Sequence, residues 1–183
     1  RRHAALVRLA DALAGTGRRV VLYNFLYTER RQRRPDPPAL LEATTRAVAE
    51  HVRNAFGTER LVHGGRSMGG RIASQVVAAG APADGLVFLA YPLHPPGQPE
   101  RLRDAHLDRI AVPLLFVQGT RDAFARRDLL DAVLLRLGSR ARLHSVDGGD
   151  HSFGVPKSSG RKAADVEAEI LTAIGGWLED GGL

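Results

Sequence analysis

The residues best placed to do chemistry surround Ser67, which lies in a Gly-x-Ser-x-Gly pattern. The surrounding sequence is Leu61-Val62-His63-Gly64-Gly65-Arg66-Ser67-Met68-Gly69-Gly70-Arg71. A short apolar segment precedes it and helix-compatible residues follow, as in the strand, sharp turn and helix that expose a serine hydroxyl at the top of a sheet. Side chains at Gly65 and Gly69 would collide with backbone in such a turn. The pattern predicts that Ser67 is a nucleophile, although alone it also fits a glycine-rich surface loop.

A serine nucleophile needs a base and an acid, and the sequence offers both downstream of Ser67. Asp122 ends the stretch Gly119-Thr120-Arg121-Asp122 after one apolar segment, and His151 lies in Asp147–Phe153 after the next. Residues at the carboxyl ends of parallel strands meet at one edge of a sheet. Histidine suits the base because its pKa lies near neutrality, and an acid orients the imidazole. We therefore predict His151 as the base and Asp122 as the acid.

Two carboxylates compete for the role of the acid. Asp122 could instead cap a helix that begins near Ala125. Asp150 is the rival acid, but it is adjacent to His151 in the chain. Neighbours in sequence rarely present their side chains to each other in the geometry that the role requires, so Asp122 is preferred.

Three other histidines are candidates for a place in the site. His63 and His144 lie inside predicted strands and are interpreted as packed core or sheet residues. His94 lies on a loop at the edge of the sheet where the other candidates are expected. It is therefore a candidate for the lining of a pocket and a weaker rival to His151 as the base.

The elements that must position these residues alternate along the chain. Helical spacing predicts helices at His3 to Ala14, Ala39 to Phe56, Ile72 to Ala79, Arg101 to Asp108, Ala125 to Leu137 and Lys162 to Leu178. Apolar runs predict strands at Arg19 to Phe25, from Leu61, at Gly85 to Tyr91, at Val112 to Gly119 and at Arg140 to Val146. This alternation predicts a three-layer α/β fold, with a parallel sheet covered on both faces, as one domain over residues 1–183.

Composition restricts the class of protein. The chain has 183 residues, of which 44% are hydrophobic and 25% charged, as in an ordinary soluble globular protein. It has no cysteine, which excludes disulfides, thiolate metal sites and a cysteine nucleophile. No apolar run approaches the length of a membrane span, and no signal-peptide core is visible. We expect a cytoplasmic protein that needs no metal or cofactor and does not bind a membrane.

The net charge of +6 raises the question of nucleic-acid binding. The basic residues are almost all arginine and are scattered, with one cluster at Arg30-Arg31-Gln32-Arg33-Arg34 before a proline-rich stretch. We interpret this cluster as a solvated basic loop. Because no nucleic-acid-binding motif accompanies it, we expect no nucleic-acid partner.

The sequence resembles the α/β-hydrolases, in the dienelactone-hydrolase-like group. More narrowly, it is similar to a branch of small bacterial proteins related to the animal testis-expressed and nonspecific-lethal-complex hydrolase-like proteins. The resemblance lies in Asn24 to Glu29, Gly64 to Arg71, Tyr91 to Gly97, Phe116 to Asp122 and Gly149 to Phe153. It implies an α/β-hydrolase fold with a mostly parallel sheet, and it implies Ser67, His151 and Asp122 as nucleophile, base and acid. Dienelactone hydrolases use a cysteine nucleophile, so their substrate is not implied.

The resemblance also concerns the oxyanion hole. The backbone N–H of Met68, directly after the nucleophile, is one expected donor. In this superfamily a strand and a glycine-rich loop before the first helix supply another donor, and no such segment precedes Arg1-Arg2-His3 here. We therefore expect a fold that lacks its N-terminal strands, and a natural protein that is longer at its N-terminus, with this segment cut or disordered.

These observations predict a serine hydrolase that cleaves an ester, thioester or similar acyl bond of a small molecule. The residues that flank strand ends and are expected to line its pocket are Tyr27, Tyr91, Leu93, His94, Phe124 and Phe153. The alternative is a non-catalytic module with the same fold that binds a protein partner. The sequence does not indicate the acyl group or the oligomeric state.

Overall fold

The computed structural model describes residues 4–58 and 60–181. The chain divides into two compact units, Arg1–Glu59 and Arg60–Leu183. In the described residues, no helix is both long enough and apolar enough to cross a membrane.

The described part of the first unit contains three helices: α1 (Ala4–Ala14), α2 (Leu26–Glu29) and α3 (Pro38–Phe56). A proline in the first turn begins α3, and Gly57, with a φ of 57°, ends it in the left-handed conformation that glycine favours. The helices predicted at the start of the chain and at Ala39 to Phe56 are confirmed to within one residue. The predicted start at His3 lies outside the described residues.

The strand predicted at Arg19 to Phe25 is wrong, because none of the described strands pairs with this segment. Residues 20–23 are 36–42% exposed. The segment is held by side chains instead: the Tyr23 hydroxyl hydrogen-bonds Thr45 at 3.0 Å, and the Arg19 guanidinium lies 4.5 Å from the centre of the Phe56 ring. An apolar run indicates burial or pairing, but a strand forms only where a neighbour can accept its hydrogen bonds.

In the described part of the second unit the sheet has four strands: β1 (Val62–Arg66), β2 (Gly85–Leu89), β3 (Leu114–Gly119) and β4 (Ala141–Val146). They are parallel and lie in sequence order, β1-β2-β3-β4. The register aligns their carboxyl ends, since Arg66 is opposite Leu89 and Gly119 is opposite Val146. The loops that follow β1, β3 and β4 therefore leave the sheet at one edge.

Helices cover both faces of this sheet: α4 (Met68–Ala78), α5 (Arg127–Leu137) and α6 (Ala163–Asp180). All residues of β2 and β3 are buried, as expected for central parallel strands. One core cluster joins α4 and α5 to alternate strand residues such as Phe88 and Phe116. Helix α6 also contacts β3 and β4, but its buried residues do not belong to that cluster, as expected for a helix on the other face of the sheet. The predicted three-layer arrangement with a parallel sheet is confirmed, with four strands in place of the five expected.

The helix predicted at Arg101 to Asp108 is wrong, since only a 3₁₀ turn at Leu107–Arg109 forms there. Backbone groups in this segment bind elsewhere: the Arg103 N–H donates to the Leu93 carbonyl at 2.8 Å, and the Tyr91 hydroxyl donates to the Arg103 carbonyl at 2.7 Å. Tertiary hydrogen bonds thus replace the helical ones that the periodicity suggested.

The protonation of His106, in the same segment, is expected to make the stability of the fold depend on pH. Burial, with the nearby charges of Arg71 and Arg109, lowers the pKa of His106 to about 4, although Asp104 acts in the opposite direction. Between pH 6.5 and 4 the unfolded chain therefore binds a proton that the folded chain does not. As the pH falls from 6.5 to 4, we expect protonation of His106 in the unfolded chain to reduce the free energy of unfolding by roughly 1–2 kcal/mol, after allowance for solvent screening.

A comparison of variants isolates this effect. His106→Gln keeps an N–H for the Ser74 hydroxyl, which lies 2.7 Å from the imidazole, but does not titrate. Chemical denaturation at pH 4.5 and 7 should show a smaller loss of stability in this variant than in the parent. His51→Gln, at an exposed site on α3, is the control and should keep the parental loss. Equal losses in all three proteins would contradict the assignment to His106.

Candidate active site

Ser67 occupies a strained turn between β1 and α4. Its φ of 50° and ψ of −121° are unusual for a residue with a side chain. A Cβ at Gly65 would lie 2.5 Å from the carbonyl carbon of Gly69, and one at Gly70 would lie 2.7 Å from the Gly65 oxygen. At Gly69, however, a Cβ would meet nothing within 4 Å. The collision predicted at Gly65 is thus present, whereas the second crowded glycine is Gly70 and not Gly69.

Three of the predicted site residues meet at the carboxyl edge of the sheet. His151 Nε2 lies 2.8 Å from Ser67 Oγ, and its Nδ1 lies 2.8 and 3.0 Å from the two oxygens of Asp122. The Asp122 side chain has no exposed surface, and that of His151 is 21% exposed. Because an ionised carboxylate only accepts hydrogen bonds, Nδ1 carries the imidazole proton and Nε2 is left to accept one from the serine hydroxyl.

Both oxygens of Asp122 are held by further donors. Gln118 Nε2 donates to Oδ2 at 2.5 Å, and the Phe124 N–H donates to Oδ1 at 2.8 Å. The other end of the Gln118 amide accepts from the Tyr91 N–H at 2.8 Å, so the amide cannot flip without losing that bond. The alternative that Asp122 caps the following helix does not hold, because Arg126 occupies the N-cap of α5.

Sequence reasoning missed Gln118. The available signal was its position as a polar residue in the otherwise apolar strand Val112 to Gly119. A buried amide in such a strand must find polar partners, and here one of them is Asp122.

The turn that carries His151 is shaped by two charged residues. Asp150 Oδ1 accepts the N–H groups of Ser152 at 2.7 Å and Gly154 at 2.9 Å, so this carboxylate closes its own turn. Arg66, directly before the nucleophile, donates to the His151 carbonyl at 3.2 Å and to the Ser152 hydroxyl at 2.9 Å. Sequence reasoning also missed Arg66, and it weighed Asp150 only as a rival acid.

Met68 is the first residue of α4, and the N-cap makes no side-chain hydrogen bond. Amide groups at the start of a helix have no acceptor within the helix and favour negative charge. The position therefore suits the predicted oxyanion donor, which stays a prediction. The expected donor from an upstream segment lies outside the described residues.

Three of the residues expected to line a pocket belong to the core instead. Tyr91 and Leu93 have no exposed surface, and the Tyr91 ring packs against Phe88 and Phe116. His94 is 3% exposed; its Nε2 accepts from the Arg126 N–H and its Nδ1 hydrogen-bonds the Pro95 carbonyl. No surface of these side chains is left for a substrate, and His94 is not available as a base.

The other three predicted lining residues are at least partly exposed. The Phe124 ring stacks on the His151 imidazole with centres 4.1 Å apart, and Phe153, with a φ of 61°, lies in the turn that carries His151. Tyr27 belongs to the first unit, where its ring stacks on Phe25. A role for these rings in substrate binding stays a prediction.

The other two candidate histidines, His63 and His144, are structural, as predicted. His63 is buried and its Nε2 lies 3.1 Å from the Pro82 carbonyl; burial lowers its pKa. His144 is paired with Glu169 at 2.8 Å on the side of β4 and α6. Within residues 4–58 and 60–181, no group of three or more histidine or acidic side chains could hold a metal ion.

Comparison with known proteins agrees with this architecture. Solved structures with the same fold include a protein of unknown function from Agrobacterium tumefaciens (TM-score 0.75, 17% identity, 96% of this chain and 78% of that chain). Another is an α/β serine hydrolase without a lid from Xanthomonas campestris (TM-score 0.71, 23% identity, 96% and 74%). A third is an α/β serine hydrolase homologue from Coxiella burnetii (TM-score 0.68, 23% identity, 82% and 69%). At these identities the likeness shows the fold. The model of the alpha/beta hydrolase domain matches residues 1–179, and the chain therefore belongs to the alpha/beta hydrolase domain family.

Proposed function

We propose that this protein is a serine hydrolase that cleaves an ester, thioester or similar acyl bond by way of an acyl-enzyme on Ser67. The observation that carries the proposal is the continuous chain of hydrogen bonds from Ser67 Oγ through His151 to Asp122. The strained backbone of Ser67 supports it, because strain of this kind persists where the surrounding structure maintains it and is common at active sites.

In the proposed reaction, Ser67 Oγ attacks the substrate carbonyl while His151 Nε2 takes the hydroxyl proton. Asp122 stabilises the imidazolium that forms, and the Met68 N–H donates to the oxyanion of the tetrahedral intermediate. His151 then gives the proton to the departing alcohol or thiol, which leaves the acyl group on Ser67. Water then attacks the acyl ester on Ser67, and His151 again takes the proton as the base. His151 returns that proton to Ser67 Oγ as the acid product leaves, which restores the Ser67 hydroxyl.

The proposal includes a small-molecule acyl substrate, a single domain, a cytoplasmic location and membership of the dienelactone-hydrolase-like group. The resemblance of Gly64 to Arg71 and of Gly149 to Phe153 to that group supports the last point. The alternative, a non-catalytic module that binds a protein, does not require a His151 imidazole that donates from Nδ1 to Asp122 and accepts at Nε2 from Ser67.

A fluorophosphonate probe tests the proposed function, because it forms a stable adduct with an activated serine. We expect mass spectrometry to locate the adduct on Ser67, and we expect no adduct in Ser67→Ala or in His151→Ala. Ser139→Ala, at an exposed site directly after α5 in the chain, is the matched control and should label as the parent does. Absence of label from the folded parent, with no hydrolysis of a panel of esters and thioesters, would reject the hydrolase and favour the binding module.

A further inference from the structure

The backbones of two arginines approach each other beside His106. The Ser74 hydroxyl contacts both the Arg71 carbonyl and His106 Nε2, and the Tyr91 hydroxyl, which donates to the Arg103 carbonyl, lies 3.5 Å from the same nitrogen. Arg71 is on α4, and Arg103 lies in the irregular segment between β2 and β3. The pKa of Arg103 is lowered by burial and by the nearby positive charges of Arg71 and Arg101. Like charges at short range repel one another, so a negative charge beside them would be favourable, although solvent screens part of the repulsion at the partly exposed Arg103.

The nearest carboxylate does not supply that negative charge. Asp104 lies one residue from Arg103, but its Oδ2 accepts from Arg136 at 2.7 Å, and the same arginine also binds Asp108. Asp104 and Asp108 are therefore neutralised from the α5 side. The Arg103 guanidinium has no hydrogen bond to protein in the described part of the chain.

Arg71 shows the same deficit in its hydrogen bonds. Its Nε is buried and has no acceptor among the described residues. Its Nη1 reaches only the Gln75 amide oxygen, at 3.3 Å. A buried donor without a partner costs about 1–3 kcal/mol. Such groups are rare in native proteins, and an acceptor that binds here would remove the cost.

Burial is the main cause of the low pKa of His106, and the positive charges near this residue lower it further. The Ser74 hydroxyl donates to the Arg71 carbonyl at 2.7 Å, so the proton shared between Ser74 and His106 belongs to His106 Nε2. Arg71 and Arg109 both disfavour a second proton on this imidazole, against the smaller opposing effect of Asp104. At His106 the positive charges of the two arginines therefore outweigh the negative charge of Asp104.

This cluster lies next to the candidate active site. The Arg71 N–H donates to the Ser67 carbonyl at 3.2 Å, which places Arg71 one helical turn, about 5.4 Å of rise, from the nucleophile. Arg103 is linked to the site through Tyr91. The Tyr91 hydroxyl donates to the Arg103 carbonyl, and its N–H binds Gln118, which in turn holds Asp122. A small molecule that extends by about one helical turn from a carbonyl at Ser67 would therefore reach the position of Arg71.

We propose that Arg71 and Arg103 bind a negatively charged group of the substrate, a carboxylate or a phosphate, and so direct an anionic acyl compound to Ser67. This inference rests on the proposed function. The planar guanidinium presents paired N–H groups that match the oxygens of either anion. A turn of the Arg71 side chain toward Arg103 would offer Nε and one Nη to the same anion. The anion would also remove the repulsion between the two guanidinium groups.

Kinetics with paired substrates test the specificity. Two esters with the same leaving group are compared, one with an acyl chain that ends in a carboxylate and one that ends in a methyl group; a phosphate-bearing ester forms a third arm. We expect Arg103→Gln to raise KM for the preferred anionic ester about tenfold or more, with little change for the neutral ester. Arg71→Lys keeps the charge but loses the paired N–H groups, so it should raise KM for the anionic ester less than Arg103→Gln does. Arg142→Gln, at the amino end of β4 and paired with Asp180, is the charge-matched control.

Binding to Ser67→Ala separates this inference from the proposed function, because it needs no catalysis. Inorganic phosphate and succinate are added separately while the His106 imidazole is followed by NMR over pH. A bound anion should raise the pKa of His106 from about 4, and Arg103→Gln should abolish that rise. If neither anion binds and the esters are hydrolysed equally, the anion site is wrong while the hydrolase stands. If an anion binds as expected but Ser67 never labels, the arginine site stands and its link to catalysis is rejected.

Discussion

Replacement of Asp122 by asparagine is expected to lower kcat for ester hydrolysis about 10⁴-fold while the protein stays folded. The carboxylate now accepts from His151 Nδ1, from Gln118 and from the Phe124 N–H. Asparagine has one oxygen and one NH₂ group, so it cannot satisfy donors on both sides. The Gln118 amide cannot reverse to help, because its oxygen is held by the Tyr91 N–H. The imidazole is therefore forced toward the other tautomer, with a proton on Nε2 that blocks removal of the Ser67 proton.

Asp150→Asn is the matched control for this prediction. Both hydrogen bonds of Asp150 end on one oxygen, Oδ1, and an asparagine oxygen can accept them equally well. We expect kcat to stay within about threefold of the parent value, since an exposed charge is removed and the turn is preserved. Steady-state kinetics with a chromogenic ester, together with thermal unfolding of both variants, would decide between the two acids. Loss of activity in Asp150→Asn with activity kept in Asp122→Asn would reverse the assignment.

The geometry around Ser67 could be predicted because it depends on local sequence and on a general property of parallel sheets. Glycines beside a serine indicate a tight turn, and loops after successive strands leave the sheet at one edge, so Asp122 and His151 had to lie near Ser67. The sequence could not identify Gln118 or Arg66 in the same way. Their roles depend on the register of β3 and on the path of the His151 turn, which are tertiary features.

The pocket residues show the limit of reasoning from position along the chain. Tyr91, Leu93 and His94 follow β2 at the same edge as the site, yet the segment turns inward and buries all three. A strand end fixes where a loop begins but not the direction it takes afterwards. The failed strand at Arg19 to Phe25 has a similar cause, since an apolar run specifies no hydrogen-bonding partner.

Gly119→Ala is expected to reduce both stability and activity, through contact with the backbone that carries His151. A Cβ at this position would lie 2.6 Å from the Gly149 carbonyl carbon and 2.8 Å from the Asp150 carbonyl oxygen. These atoms are backbone and cannot rotate away. The Arg121 N–H also donates to the Gly149 carbonyl at 2.8 Å, which ties the two turns together. We expect the free energy of unfolding to fall by about 3 kcal/mol, at the upper end for an overpacked site.

The same displacement should lower kcat about 100-fold, since a shift of about 1 Å in a catalytic group has an effect of this size. Gly176→Ala is the matched control: the site is exposed on α6, a Cβ there meets nothing within 4 Å, and alanine should raise stability by about 0.5–1 kcal/mol. Urea denaturation and ester kinetics on both variants provide the measurement. A Gly119→Ala protein with parental stability and parental kcat would show that the turns after β3 and β4 separate at little cost. The position of His151 would then depend on its other contacts, such as those with Asp122 and Arg66, because the close approach of the two backbones at Gly119 would have no part in it.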